Sequence, residues 1–332
     1  MLSEEFIRNN KHNLCINSLL HKQQFSEDLL YELIGYYSID VMVRTQNVTK
    51  KFLNKILDSN NINTEESYNT VDNYFLMPIK LKKRIEKINN TLAKNILQLI
   101  FQKKTNLALS LDITDKTKFL EILNNVAQHI CILKTHINTI NNFDEQFIKD
   151  ILLLQQKYNF YILEDGKFSD IGNTFKKQLT EGIFKINNWA NSITVHGIAG
   201  NSIISTYKDI NNKNLDKGLI FVAEISNKGN LITQKYTNNI VNMCNKNNKL
   251  VAGFVTQKKL YDDTYLYFTP DVSIENTNDN MDKNYKTPEK AICEDDCDVI
   301  ICGHGIYNYD NYKDKCLEYK LQGWKYFINK YS

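Results

Sequence analysis

A chain of 332 residues is longer than one small domain and within reach of one large domain carrying an appendage. A hydrophobic fraction of 42% fills a sizeable core and excludes a disordered chain. The net charge of +3, from 41 basic and 38 acidic residues, excludes the clustered basic excess of a nucleic-acid-binding surface.

Residues 1–85 are predicted to form a helical N-terminal extension. SEDLLYELIGYYSI (26–39) and VTKKFLNKILDS (48–59) repeat their apolar residues at helical spacing, and the polar stretch 59–73 separates them from the rest of the chain. Its function is open between a stabilising or dimer-supporting appendage and a recognition element for another protein. MLSEEFIRNN at the start has no apolar leader, and no apolar run reaches the roughly 18 residues of a membrane span. A soluble, cytoplasmic protein with no membrane contact is expected.

Residues 86–332 alternate between two patterns. Short apolar, β-branched runs recur: LALSLD (107–112), ICILKT (130–135), NFYILED (159–165), SITVHG (192–197), LIFVAEIS (219–226), LVAGFVT (250–256), YLYFTP (265–270) and DVIICG (298–303). Between them lie amphipathic stretches such as KFLEILNNVAQ (118–128) and FIKDILLLQQKY (147–158). Continuous apolar strands alternating with helices predict a parallel sheet covered on its outer face, and eight of them favour a closed (β/α)8 TIM barrel, α/β in class. No GxGxxG or GxxxxGK[ST] follows the first strand, so the dinucleotide and P-loop folds lose their main support. The seven cysteines form no CxxC pair, and several sit in apolar runs. We expect them to be reduced and mostly buried, with no metal site.

In a barrel of this kind the site lies where the strands end at their C-terminal edge. The segment YILEDGKFSDIGNTFKKQ (161–178) ends a strand in Asp165, with Lys167 two residues on and Asp170 beyond. An i, i+2 spacing puts Asp165 and Lys167 on one face of an extended chain. Asp112 and Lys134 end two other strands. Alternating lysines and aspartates keep one another ionised. Such an array either stabilises negative charge appearing on a carbon atom or is a structural ion-pair network on the rim. The spacing leaves both open.

EDGKFSDIGNT resembles the signature of orotidine 5′-monophosphate decarboxylase in its eukaryotic form. The likeness continues through LAKNILQLIFQKKTNLALSLD (92–112), ICILKTHIN (130–138), GIFKINNWANSITVHGIAG (182–200), GLIFVAEISNKGNLITQKYT (218–237), GFVTQ (253–257), FTPDV (268–272), NYKTPEKAI (284–292), DVIICGHG (298–305) and GWKYFINK (323–330). The resemblance implies a (β/α)8 barrel forming a homodimer with shared active sites, needing neither metal nor organic cofactor. It implies conversion of orotidine 5′-monophosphate to uridine 5′-monophosphate. Lys167 would protonate C6, Asp165 would flank the departing carboxylate, and Lys134 would hold the network and contact ribose. Asp170 would reach into the other subunit's site, with Thr174 near the ribose hydroxyls. Asp112 would bind ribose and Ser226 the pyrimidine edge. Pro270 opens the loop that brings Tyr285 to the phosphate.

The departures gather at the phosphate end. Where the family has Gly-Arg-Gly the chain reads Gly303-His304-Gly305, the loop glutamine is Lys283, and the glycine after Pro270 is Asp271. Gly166 replaces the arginine between Asp165 and Lys167, and Asn138 replaces an aspartate. Losing arginine removes a bidentate, always-charged fork, for which histidine gives at most two donors. Lys283 is expected to compensate in part, and Asp271 to oppose it if it points inward. The alternative to a working enzyme is a catalytically impaired barrel that acts as a binding or structural protein. A third reading is a related barrel acting on a different phosphorylated sugar or nucleotide. His136 and His196 are expected to be hydrogen-bonded core groups, and the tyrosine-rich tail 307–320 a helix face and loop.

Overall fold

The computed structural model describes residues 2–14, 16–20, 22–34, 42, 46, 48–49, 51–52, 55–56, 76–211, 216–275 and 285–332. Lys283, residues 35–39 of the segment 26–39, half of the segment 48–59 and the polar stretch 59–73 lie outside these residues. The chain divides into two compact units, Met1–Pro78 and Ile79–Ser332.

In the first unit, α1 (Glu4–Asn10), α2 (Ile16–Leu20) and α3 (Glu27–Glu32) bury a core that includes Ile7, Ile16, Leu20, Leu29 and Leu33. Ser3 and Ser26 cap α1 and α3 by accepting from the amides of Phe6 and Leu29, which satisfies donors the helix itself leaves open. Buried Gln46 ties the chain together, accepting from the Phe25 amide at 2.7 Å and donating to the Leu20 carbonyl at 2.8 Å.

The second unit opens with α4 (Ile79–Lys87) and α5 (Thr91–Lys103). Leu81 and Arg84 of α4 are buried in this unit. Eight strands come next, β1 (Leu107–Ser110), β2 (Ile132–Thr135), β3 (Tyr161–Phe168), β4 (Ser192–His196), β5 (Gly218–Val222), β6 (Val251–Val255), β7 (Leu266–Thr269) and β8 (Val299–Cys302). All adjacent pairs run parallel, and β8 pairs with β1 to close the barrel. Each apolar run of the sequence is one strand, with both faces covered as a parallel sheet requires.

The helices α6 (Lys116–Val126), α7 (Glu145–Tyr158), α8 (Gly172–Thr180), α9 (Ser202–Asn211) and α10 (Gln234–Asn245) alternate with the strands. Asp115, Asp144 and Thr233 cap three of them. After β8 come a short turn of helix, α11 (His304–Tyr307), and the long α12 (Tyr312–Tyr331). No described helix is long and apolar enough to cross a membrane.

The N-terminal end of the barrel is fastened by a buried ionic network. The Arg84 guanidinium meets both oxygens of Asp298, the second at 2.6 Å, and donates to the Tyr265 carbonyl at 2.9 Å. Lys330 of α12 reaches the same carboxylate at 3.1 Å. Burial opposes the charge on Asp298, but Arg84 and Lys330 outweigh it and hold the carboxyl down at about 2.

Candidate active site

At the C-terminal ends of the strands lies a cavity of about 430 Å³. Its floor carries the charged array. Ser110 and Asp112 come from the end of β1, Lys134 and His136 from β2, Asp165 and Lys167 from β3, and Thr194 from β4. Backbone register explains the convergence, since Ser110 stands opposite Lys134 and Lys134 opposite Leu163. Alternation then turns Lys134 and Asp165 toward the same space.

Asp165 is the hub. Its Oδ2 accepts from Lys134 Nζ at 2.6 Å and Lys167 Nζ at 2.8 Å, with His136 Nε2 at 3.2 Å. Its Oδ1 accepts from the Thr194 hydroxyl at 2.7 Å. Burial works against a charge here, but the His136 bond and the lysine charges outweigh it. The carboxyl is held well below the usual range.

Lys167 reaches Asp165 by a route the regular spacing did not foresee. It takes a left-handed conformation, with φ of 45°, at an irregularity in the β3–β4 register. The extended-chain expectation is therefore corrected in its cause. A bulge sets Lys167 beside Asp165, and the Lys167 amide donates to the Thr194 hydroxyl at 2.9 Å. Gly166 belongs to the same bulge, where a Cβ would meet the Phe168 ring at 2.5 Å.

His136 lines the cavity and bridges two carboxylates. Nδ1 lies 2.6 Å from Asp112 Oδ1 while Nε2 faces Asp165. An imidazole donates to both only when doubly protonated, and those two bonds raise its pKa against burial and the Lys134 charge. Asp112 also accepts from Ser110 at 2.8 Å. Burial pushes its pKa up, but the His136 bond and the Lys134 charge prevail and hold it at about 2. The core role expected for His136 is corrected to a place in the cavity wall. His196, half-buried at the end of β4, has its pKa lowered by burial and by the Lys167 charge. Behind the floor, Glu164 accepts from the Thr135 hydroxyl at 2.6 Å and the Ile137 amide at 3.2 Å, and burial pushes it up to about 7.

The opposite wall comes from β5, β7 and β8. Ser226, Pro270, Asp271, Tyr285, Gly303 and His304 all line the cavity. A Cβ on Gly303 would stand 2.8 Å from the Ser110 carbonyl, so the β8 end approaches β1 as only glycine permits. Asp271 points inward and accepts a hydrogen bond from Ser226. Its φ of 55° is left-handed, the conformation that glycine adopts without strain. Asp170 and Thr174 are not in the cavity wall. Asp170, just before α8, accepts from the Ile171 amide and from Gln178 in the last turn of that helix.

Several wall residues were not among the expected ones. Thr194 was legible in hindsight, because a threonine inside the apolar strand SITVH needs a polar partner. Tyr309, Lys315 and Tyr319 come from the tail read as helix face and loop, and their part in the wall left no local signal. The described residues contain no group of three or more His, Cys, Asp or Glu side chains placed to hold a metal.

The fold and the site together define a (β/α)8-barrel enzyme whose charged groups meet at the strand C-termini. Residues 105–319 match the Orotidine 5'-phosphate decarboxylase / HUMPS family. The orotidine 5′-phosphate decarboxylase of Phycomyces blakesleeanus is 36% identical over 251 residues, covering 74% of this chain and 94% of that protein. That of Rhizomucor pusillus is 37% identical over 245 residues, covering 73% and 93%. The crystal structure of the Pyrococcus horikoshii enzyme superimposes with a TM-score of 0.52 at 18% identity, over 65% of this chain and 98% of that one, a likeness of fold. The chain belongs to the orotidine 5′-phosphate decarboxylase family.

Proposed function

We propose that the protein converts orotidine 5′-monophosphate to uridine 5′-monophosphate and carbon dioxide. The observation that carries this reading is the buried carboxylate of Asp165, clamped by two ammonium groups at the floor of the cavity. In the reaction the bond from C6 to the carboxylate breaks and its electron pair stays on C6. A carboxylate fixed beside the substrate's own disfavours the bound ground state, and this repulsion is relieved as carbon dioxide departs. The Lys167 ammonium stabilises the charge developing on C6 and then gives that carbon its proton.

Lys134 holds Asp165 in place and, with Asp112, addresses the ribose hydroxyls. Ser226 meets the pyrimidine edge, while Gly303, His304 and Tyr285 face the phosphate from the far wall. Pro270 begins the segment that leads to Tyr285, in which Lys283 stands at the sequence position of the family's glutamine. Asp170 and Thr174 complete the site of a second subunit in a homodimer, which accounts for their place outside this chain's own cavity. Asp271 opposes the dianion by repulsion, so phosphate binding is weaker than an arginine at position 304 would make it.

The test is turnover. Purified protein mixed with orotidine 5′-monophosphate is expected to give the absorbance change of uridine 5′-monophosphate formation, and Lys167→Ala to give none. An unchanged spectrum with the wild-type protein at high concentration would overturn the reading.

A further inference from the structure

The phosphate end has lost its arginine, and beyond Arg84 the sequence contains none. A cation nevertheless lines that wall. Lys315, in the first turn of α12, borders the cavity with His304, Gly305 and Tyr309. Its Nζ lies 2.6 Å from Glu275 Oε1 and 3.5 Å from Glu318 Oε2, and 5.2 Å from the centre of the Tyr309 ring. The Tyr309 hydroxyl donates to the other Glu275 oxygen at 2.9 Å. Glu275 is thus held by two groups of the C-terminal segment, and it too borders the cavity.

From this geometry we infer that Lys315 is the phosphate-binding cation of the site, occupied by Glu275 until the substrate's phosphate displaces it. The inference rests on the function proposed above. Floor and far wall are set by topology: in a closed ring of eight strands β7 stands across from β3, so a ligand with one end at Lys167 puts its other end near β7 and β8. There His304 offers at most two donors, while an ammonium gives three and a full charge. A phosphate dianion outbids the Glu275 carboxylate for that ammonium because it carries about twice the charge, while Glu318 keeps its longer contact. Glu275 then turns to solvent, which its half-exposed position allows.

The signs of two substitutions separate this role from a structural ion pair. Binding of uridine 5′-monophosphate and of uridine is measured by calorimetry at low salt. Lys315→Met is expected to weaken the nucleotide roughly ten- to a hundredfold and leave uridine unchanged. Glu275→Gln, which leaves the ammonium only its longer contact with Glu318, is expected to tighten the nucleotide by about two- to fivefold. Lys315→Arg should retain the affinity. In a His304→Arg background the loss caused by Lys315→Met should shrink, because the new guanidinium takes over the charge. Wild-type nucleotide affinity in Lys315→Met, or an equal loss of nucleotide and uridine, would overturn the inference. If wild-type turnover of orotidine 5′-monophosphate is found in the same preparations, that failure belongs to Lys315 alone. Absence of both turnover and nucleotide binding in the wild-type protein would sink the proposed function with it.

Discussion

Asp271 shows how one residue can record a change of chemistry. Its backbone sits at φ of 55°, where a residue with a Cβ is strained by roughly 1 kcal/mol, less for aspartate than for most. Its carboxylate also bonds Ser226 inside the cavity. Strain and charge both argue that Asp271→Gly relieves the site. We expect this substitution to raise kcat/KM for orotidine 5′-monophosphate, mainly through KM, without lowering the thermal midpoint. Steady-state kinetics and a melting curve check both halves. The sequence identified Asp271 as a departure from the family, but its inward direction needed the fold. His136 was harder to place. Its position after Lys134 was plain, yet only three-dimensional proximity puts its two ring nitrogens between Asp112 and Asp165.

At the scale of elements, β3 and β4 carry Asp165, Lys167 and Thr194 to the cavity floor. The eight strands were legible because each is a short apolar, β-branched run buried on both faces, set between amphipathic stretches. The bulge at Lys167 was not, since neither Gly166 nor Lys167 announces a left-handed turn inside a strand. Thr194 of β4 shows what the bulge depends on. Its hydroxyl donates to Asp165 and accepts from the Lys167 amide. Thr194→Val keeps the shape and removes both bonds, leaving a charged carboxylate one partner short. We expect kcat to fall roughly ten- to a hundredfold while uridine 5′-monophosphate affinity stays unchanged. A drop in affinity equal to that in kcat would mean the hydroxyl only holds the wall together. Tyr309, Lys315 and Tyr319 escaped the sequence reading for a related reason. Long-range closure of α12 against the barrel, not local pattern, brings them to the cavity.

For the molecule as a whole, the barrel unit has charge at both ends, serving different purposes. Its one arginine, Arg84, is buried at the N-terminal end with Asp298 and Lys330, at the other end of the strands from the cavity. Asp298→Asn leaves two buried cations facing a neutral group. It should destabilise the fold by roughly 3–5 kcal/mol, lowering the thermal midpoint by about 6–20 °C. The pH dependence has a fixed sign. Asp298 has a depressed pKa in the folded state, so its contribution is full above the ordinary carboxylate range and is lost as pH falls toward about 2. The acid limb of the wild-type melting curve should therefore be steeper than that of Asp298→Asn. Decarboxylation at the opposite end is the claim on which the rest depends. The most direct measurement follows orotidine 5′-monophosphate carrying carbon-13 in its carboxylate by nuclear magnetic resonance, with wild-type protein and Lys167→Ala. We predict that labelled carbon dioxide and bicarbonate appear in step with uridine 5′-monophosphate, and that the variant releases neither. A wild-type sample in which the labelled carboxylate stays on the nucleotide would contradict the account.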